Sequence, residues 1–257
     1  MIEMYFDSQE PVIDWLKAGA PMPDGGEITH FGDGERPVRK PQFEIADQRR
    51  YAEYLRRRGY GATLFGARFF VCASPSERVP SEISFYPFES RSEKKKAEHE
   101  AALLALAHEL FQRFDARGAV YGFAGEHEEW RHYNLYKWPC SRGSQRFNTS
   151  PSGKDFKRYV PGVYWTNYFL KAYADSRRIA IEPLVATLGG EVTRCPNGVI
   201  WRAFPDHRQW REHASKLADF VASDDRFFSL RRLPPVPDGL SPPEEMAFMH
   251  KLWVDWR

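Results

Sequence analysis

The residues best equipped for chemistry lie at 125–132, GEHEEWRH, where His127 and His132 sit among Glu126, Glu128 and Glu129. Histidines flanking a glutamate suggest the zinc helix H-E-x-x-H, in which imidazoles four residues apart share one metal and the glutamate serves as base. Here the second histidine falls five residues on. That step turns a side chain by about 140° around a helix, and along a strand it points the two rings to opposite faces. Only a loop could join them, so a solvated acidic patch is the simpler reading. His99 and His108 are too far apart on one helix to form a ligand pair, as are His207 and His213, and surface or capping roles suit them better. Glu128 with Glu129 and Asp224 with Asp225 are adjacent acids of a common surface type. No G-x-x-x-x-G-K, G-x-G-x-x-G or G-x-S-x-G occurs to cradle a phosphate or present a nucleophile. The expectation is a chain with no catalytic residue, no metal and no cofactor.

The next segment changes sign. Between 131 and 158 stand Arg131, Lys137, Arg142, Arg146, Lys154, Lys157 and Arg158 against Asp155 alone, with Tyr133, Tyr136, Trp138 and Phe147 interleaved. Bases among aromatics can grip single-stranded nucleic acid by stacking and phosphate contacts. The same pattern serves an acidic protein partner, or a solvated loop, given Ser141, Gly143, Ser144, Ser150, Ser152 and Gly153. Across the chain, 37 Lys and Arg balance 35 Asp and Glu for a formal charge of +2. That near-neutrality argues against a dedicated nucleic-acid or membrane-surface protein. The junction of acidic and basic stretches, with Glu126, Glu128, Glu129, Trp130, Arg131 and Tyr133, is therefore the candidate partner-binding surface.

The elements that must position these residues can be read from periodicity. Helices are expected over 9–17 (capped by Ser8), 47–58, 93–116, 182–188 and 206–221, each with an apolar stripe and a Gly or cap at one end. In the longest, Leu103, Leu106, Leu110 and Phe114 form the stripe. Strands are expected as one run over 62–73, at 82–88 and 120–124, and as a hairpin over 191–194 and 198–204 turning at Pro196 to Gly198. Residues 163–170 suit a strand or the start of a helix, and 20–44 read mostly as loop, with room for a short strand around 27–31. A proline-rich connector then leads to Ser241 to Glu244, a capping box opening a helix with Met246, Met249, Leu252, Trp253 and Trp256 on one face. That helix either docks back or binds a partner. The order implies an α+β fold, an antiparallel sheet with helices packed on one face. We expect one domain over 1–231, divisible into sub-halves 1–140 and 141–231 that each contain a hairpin followed by a helix without repeating in sequence, followed by the connector and terminal helix at 232–257.

Composition bounds the setting. A chain of 257 residues is long enough to bury a full core without staples. Aromatics reach 15%, enough for both a rich core and a recognition surface. The acids among residues 1–16 do not fit a signal peptide, and no apolar window is long enough to span a bilayer. Cys72, Cys140 and Cys195, odd in number and widely spaced, fit reduced thiols in a cytoplasmic protein.

One stretch carries a resemblance. Residues 161–169 (PGVYWTNYF) precede a short helix, LGGEV at 188–192, PNGVIW at 196–201 and a capped helix from Asp206. This order, over about 118–222, resembles the C-terminal half of immunity proteins of bacterial polymorphic-toxin and type VI secretion systems, closest to those found beside VRR-NUC-type nuclease effectors. In those proteins an aromatic-Asn strand or helix start leads into a Gly hairpin bearing an apolar strand, here matched by Tyr164, Trp165, Asn167 and Gly198. The resemblance implies a cytoplasmic binder that neutralises a cognate toxin by covering its active site, with an interface of about 1,600 Å². It also implies acids that mimic phosphate, for which Glu126, Glu128 and Glu129 beside Trp130 are the candidates. A slightly basic chain departs from that pattern and leaves toxin chemistries other than a nuclease open. The alternative is a nucleic-acid-handling or metal-dependent enzyme using the segment 126–158.

Overall fold

The computed structural model describes residues 2–22, 28–32, 43–77, 81–88, 91–113, 120–124, 159–160, 162–227, 237–241, 243–244 and 247–248. The fold is α+β, built on one antiparallel sheet of ten strands. In chain order they are β1 (Ile2–Phe6), β2 (Ile28–Gly32), β3 (Phe43–Glu44), β4 (Ala62–Gly66), β5 (Phe69–Ser74), β6 (Ser81–Pro87), β7 (Val120–Ala124), β8 (Thr166–Leu170), β9 (Glu191–Cys195) and β10 (Gly198–Arg202). Their spatial order is β3-β2-β4-β5-β6-β1-β7-β8-β10-β9. The helices are α1 (Glu10–Lys17), α2 (Gln48–Arg57), α3 (Glu93–Arg113), α4 (Lys171–Ser176), α5 (Ile181–Leu188) and α6 (Trp210–Ser223), the last entered through a 3-10 turn at His207–Gln209.

Strand alternation sorts the residues onto two faces. On one, Leu64, Val71, Phe85 and Ile2 pair across β4, β5, β6 and β1, and Ala73, Ile83 and Met4 form the next row. All are nearly inaccessible. Helices cover this face. The rings of Tyr51 and Tyr54 on α2 meet Phe31, and the Tyr51 hydroxyl donates to the Leu16 carbonyl of α1 at 3.0 Å. Further along, Phe111 of α3 meets Tyr168 of β8, with ring centroids 5.3 Å apart. The opposite face carries a polar row, Thr63, Cys72, Ser84 and Glu3, paired strand to strand. Glu3 is buried there and accepts the Tyr5 hydroxyl.

Several sequence-based expectations need adjustment. The run 62–73 is two strands, because the chain reverses at Ala67 and Arg68 and Leu64 then pairs with Val71. The loop-rich stretch 20–44 holds β2, close to the short strand expected at 27–31, and also supplies the last two residues of the stretch as β3 at the edge of the sheet. Residues 163–170 resolve into a strand with α4 immediately behind it. Helix α1 starts one residue later than expected, with Gln9 at its N-cap position and no side-chain cap. Asp47 does cap α2, accepting from the Arg50 amide at 3.2 Å. The capping box at Ser241 is formed, with both its amide and its hydroxyl donating to the Glu244 carboxylate. β1, which no periodicity announced, lies in the interior of the sheet between β6 and β7. The two hairpins also differ in topology: β2 joins the first strand of its hairpin, β4, whereas β8 joins the second of its own, β10.

Candidate functional site

The most unusual chemistry among the described residues lies in the seam where α3 crosses β8 and β10. Three local patterns build it. On α3, Glu100, Leu104 and His108 recur every fourth residue and form one stripe, beside the apolar stripe of Leu103, Ala107 and Leu110. On the sheet, Thr166 and Tyr168 alternate onto the face that meets α3, and Arg202 of β10 pairs directly with Thr166. Asp206 ends β10's departure from the sheet by accepting the Arg208 amide at 3.0 Å, and this cap sets His207 at the first position of the 3-10 turn.

Contacts run continuously through the seam. His108 meets the edge of Tyr168, with centroids 5.6 Å apart. The Arg202 guanidinium lies 5.8 Å from the Trp165 ring centroid, and Trp165 in turn packs 5.2 Å from His207. His207 Nε2 and Arg208 Nη2 converge on Glu100 Oε2 at 3.2 and 3.3 Å. Glu100 thereby ties the turn back to α3.

Six buried side-chain atoms in this seam find no hydrogen-bond partner among the described residues: His108 Nε2, Trp165 Nε1, Thr166 Oγ1, Tyr168 OH, Arg202 Nε and His207 Nδ1. Native proteins leave few such atoms, and each unsatisfied group costs about 1–3 kcal/mol, so a cluster of six points to a role. The electrostatics are one-sided. Burial, and secondarily the Arg202 charge, push the His108 imidazole down to about 4, so it is neutral near pH 7. Burial pushes the Tyr168 phenol well above its ordinary range, keeping its proton in place, with Arg202 opposing weakly. Arg202 is the fixed charge of the group. Glu191 approaches its Nη1 only to 3.7 Å and is itself largely exposed.

The residues singled out from sequence fall in three places. Asn167 is wholly buried and structural. Its side chain accepts the Tyr164 amide at 2.9 Å and donates to the carbonyls of Tyr164 at 2.8 Å and Trp201 at 3.3 Å. This brings Asn167 and Tyr164 together as one local clasp. Gly198 permits close strand approach: a Cβ there would lie 2.2 Å from the Phe169 carbonyl oxygen. Trp165 is half-buried and belongs to the seam. Glu126, Glu128, Glu129, Trp130, Arg131 and Tyr133, with His127, His132 and the basic segment to 158, lie outside the described residues.

Sequence reading passed over His108, Thr166, Tyr168, Arg202 and His207. His108 is no surface histidine; it lies against a fully buried tyrosine. The available signal was Glu100 and His108, eight residues apart on one stripe of an otherwise apolar part of α3, together with the strand alternation that puts Thr166 and Tyr168 on one face. Cys72 and Cys195 form no disulfide among the described residues. Among the described residues no group of three His, Cys, Asp or Glu is placed to hold a metal ion, and no helix is long and apolar enough to cross a membrane. The chain matches no protein-family model, no curated protein and no solved structure.

Proposed function

We propose that this protein is an immunity protein that binds a cognate bacterial toxin and neutralises it by covering the toxin's active site. It acts in the cytoplasm without catalysis or a cofactor of its own. The observation that carries this reading is that the residues bearing the resemblance fold as consecutive, mutually fastened elements. Residues 162–165 lead into β8, 196–201 form the turn of the β9–β10 hairpin and most of β10, and Asn167 clasps the two through the Trp201 carbonyl. Two short helices, α4 and α5, lie between them where the resemblance has one, and α6 follows through the 3-10 turn that Asp206 caps.

The partner surface in this reading is the acidic-to-basic junction, Glu126, Glu128, Glu129, Trp130, Arg131 and Tyr133. Aromatic anchors ringed by charges suit such a surface, because the aromatics supply buried area while the charges guide encounter and fix register. The test is co-expression with the product of the adjacent gene. The expected result is that this protein restores growth to a strain poisoned by that product and that the two co-purify as a stable complex. Failure of both rescue and co-purification would end the reading. Reversing the charges of Glu126, Glu128 and Glu129 together is expected to abolish rescue without altering the fold.

A further inference from the structure

We propose that the seam between α3 and the β8–β10 pair binds a carboxylate group. Its unpaired atoms are mostly donors. Trp165 Nε1 and Arg202 Nε can only donate, Tyr168 keeps its proton and Thr166 can offer one, whereas His207, whose Nε2 donates to Glu100, presents Nδ1 as an acceptor in the neutral ring. Of the two carboxylates at the margin, Glu100 is turned to His207 and Arg208, and the exposed Glu191 stands 3.7 Å from Arg202 Nη1, leaving Arg202 Nε unpartnered. A group that accepts several bonds and carries negative charge therefore complements the seam. One full positive charge, with His108 neutral, matches a monoanion, whereas a phosphate dianion would bring a second charge into a largely desolvated site without a counter-charge. The planar guanidinium of Arg202, with Trp165 alongside, suits a planar acceptor.

The fixed and movable parts are distinct. Thr166 and Tyr168 are fully buried on a paired strand and define the floor. Trp165, Arg202 and His207 are only part-buried and close the seam from outside. Entry of the ligand requires these three to swing, after which the unpaired donors of Trp165 and Arg202 and those of the floor turn onto it. Thr166 and Tyr168, more than nine-tenths buried with their hydroxyls unpartnered, are what separate this seam from an ordinary surface arginine.

The carboxylate can come from a small free acid or from an Asp or Glu side chain of a bound protein. The inference does not rest on the immunity reading, and its test involves no toxin. The full chain would be titrated with acetate and benzoate, with N-acetyl aspartate and glutamate amides, and with inorganic phosphate and chloride. Binding would be followed through the Trp165 indole N–H resonance, assigned by its loss in Trp165→Phe. The expected result is a saturable shift with a Kd of about 1 mM or tighter for carboxylates and at least tenfold weaker binding of phosphate and chloride. Tighter binding of the blocked amino acids than of the free acids would identify a protein side chain as the source; the reverse order would identify a small acid. Tyr168→Phe keeps the ring and removes one donor, Trp165→Phe removes the indole donor while leaving a smaller aromatic ring, and each is expected to weaken binding about tenfold, read by calorimetry. Arg202→Lys keeps the charge but loses Nε and the fork, and is expected to weaken it more. No shift with any carboxylate at about 50 mM would overturn the proposal, because even weak millimolar binding would saturate there. Equal binding of phosphate or chloride, or unchanged affinity in folded Tyr168→Phe, would overturn it as well.

Discussion

Asn167 and Tyr168 are neighbours on one strand, both wholly buried, and they meet opposite fates. Asn167 points to one face of β8 and satisfies both its oxygen and its nitrogen on backbone groups held by the local turn. Tyr168 points to the other face, towards α3, and its hydroxyl finds nothing to bond among the described residues. The first side chain is an architectural device whose partners lie close in sequence or across one strand pair. The second belongs to a region whose polar atoms are assembled from α3, β8, β10 and the turn at His207 and do not satisfy one another. Burial alone therefore does not identify structural polar residues. Saturation of their hydrogen bonds does.

The contrast can be broken most forcefully at its hinge. Gly198 lets β10 lie against β8, and Gly198→Ala would set a Cβ 2.2 Å from a backbone oxygen that cannot move without disturbing the β8–β10 pairing. We expect a loss of at least about 3 kcal/mol in denaturant unfolding, or failure to fold. A protein of unchanged stability would mean that the two faces of β8 are not held in the register described.

The comparison itself is tested by paired substitutions. Asn167→Ala removes a side chain with three buried bonds and strands the Tyr164 amide, so a loss of about 2–4 kcal/mol is expected. Tyr168→Phe removes an oxygen that bonds nothing, and the expected change lies between neutral and about 1 kcal/mol of stabilisation. Equal destabilisation in the two variants would erase the distinction drawn between the faces.

His108 gives the seam a pH signature. Its imidazole is pushed down to about 4 in the folded protein, mainly by burial, from an ordinary 6.5. A lowered folded value means that the unfolded chain takes up the proton first. The contribution is intact above pH 6.5 and is lost progressively as pH falls towards 4. At 1.36 kcal/mol per pH unit the loss amounts to about 2–3 kcal/mol for a group still partly solvated. Unfolding free energy measured across this interval should flatten by that amount in His108→Gln. An unchanged slope would place His108 in water rather than against Tyr168. The smallest effect is expected far from the seam, where the Arg194 and Glu182 side chains pair at the exposed edge. Arg194→Ala should leave the melting temperature unchanged within error, since solvent screens such a pair.

How much of this was legible depended on where the partners lie. Helices α2 and α5 and the β9–β10 hairpin were readable because stripes, caps and a turn sit within one short window. β1 was not, because five successive buried residues show no alternation and one of them is Glu3, a residue type usually exposed. The β4–β5 reversal was hidden because Ala67 and Arg68 lack the glycine, asparagine or proline that marks most two-residue turns. Asn167 could be picked out from its setting in PGVYWTNYF, but its contacts show it to be architectural. The seam was invisible for a different reason: His108 and Arg202 are ordinary residues in their own windows, and only the docking of α3 on β8 and β10 makes them neighbours.

The position of β1 also has a kinetic consequence. Ile2 pairs with Phe85 on one side and Ala124 on the other, so β1 is bordered by strands translated well after it. On the ribosome β1 can join neither side until β6 and β7 have emerged. Closing such long loops slows folding, because the entropy of closure is lost before the contacts form. The nascent chain therefore carries an unpaired apolar strand until β6 has emerged, a natural place for a chaperone to engage.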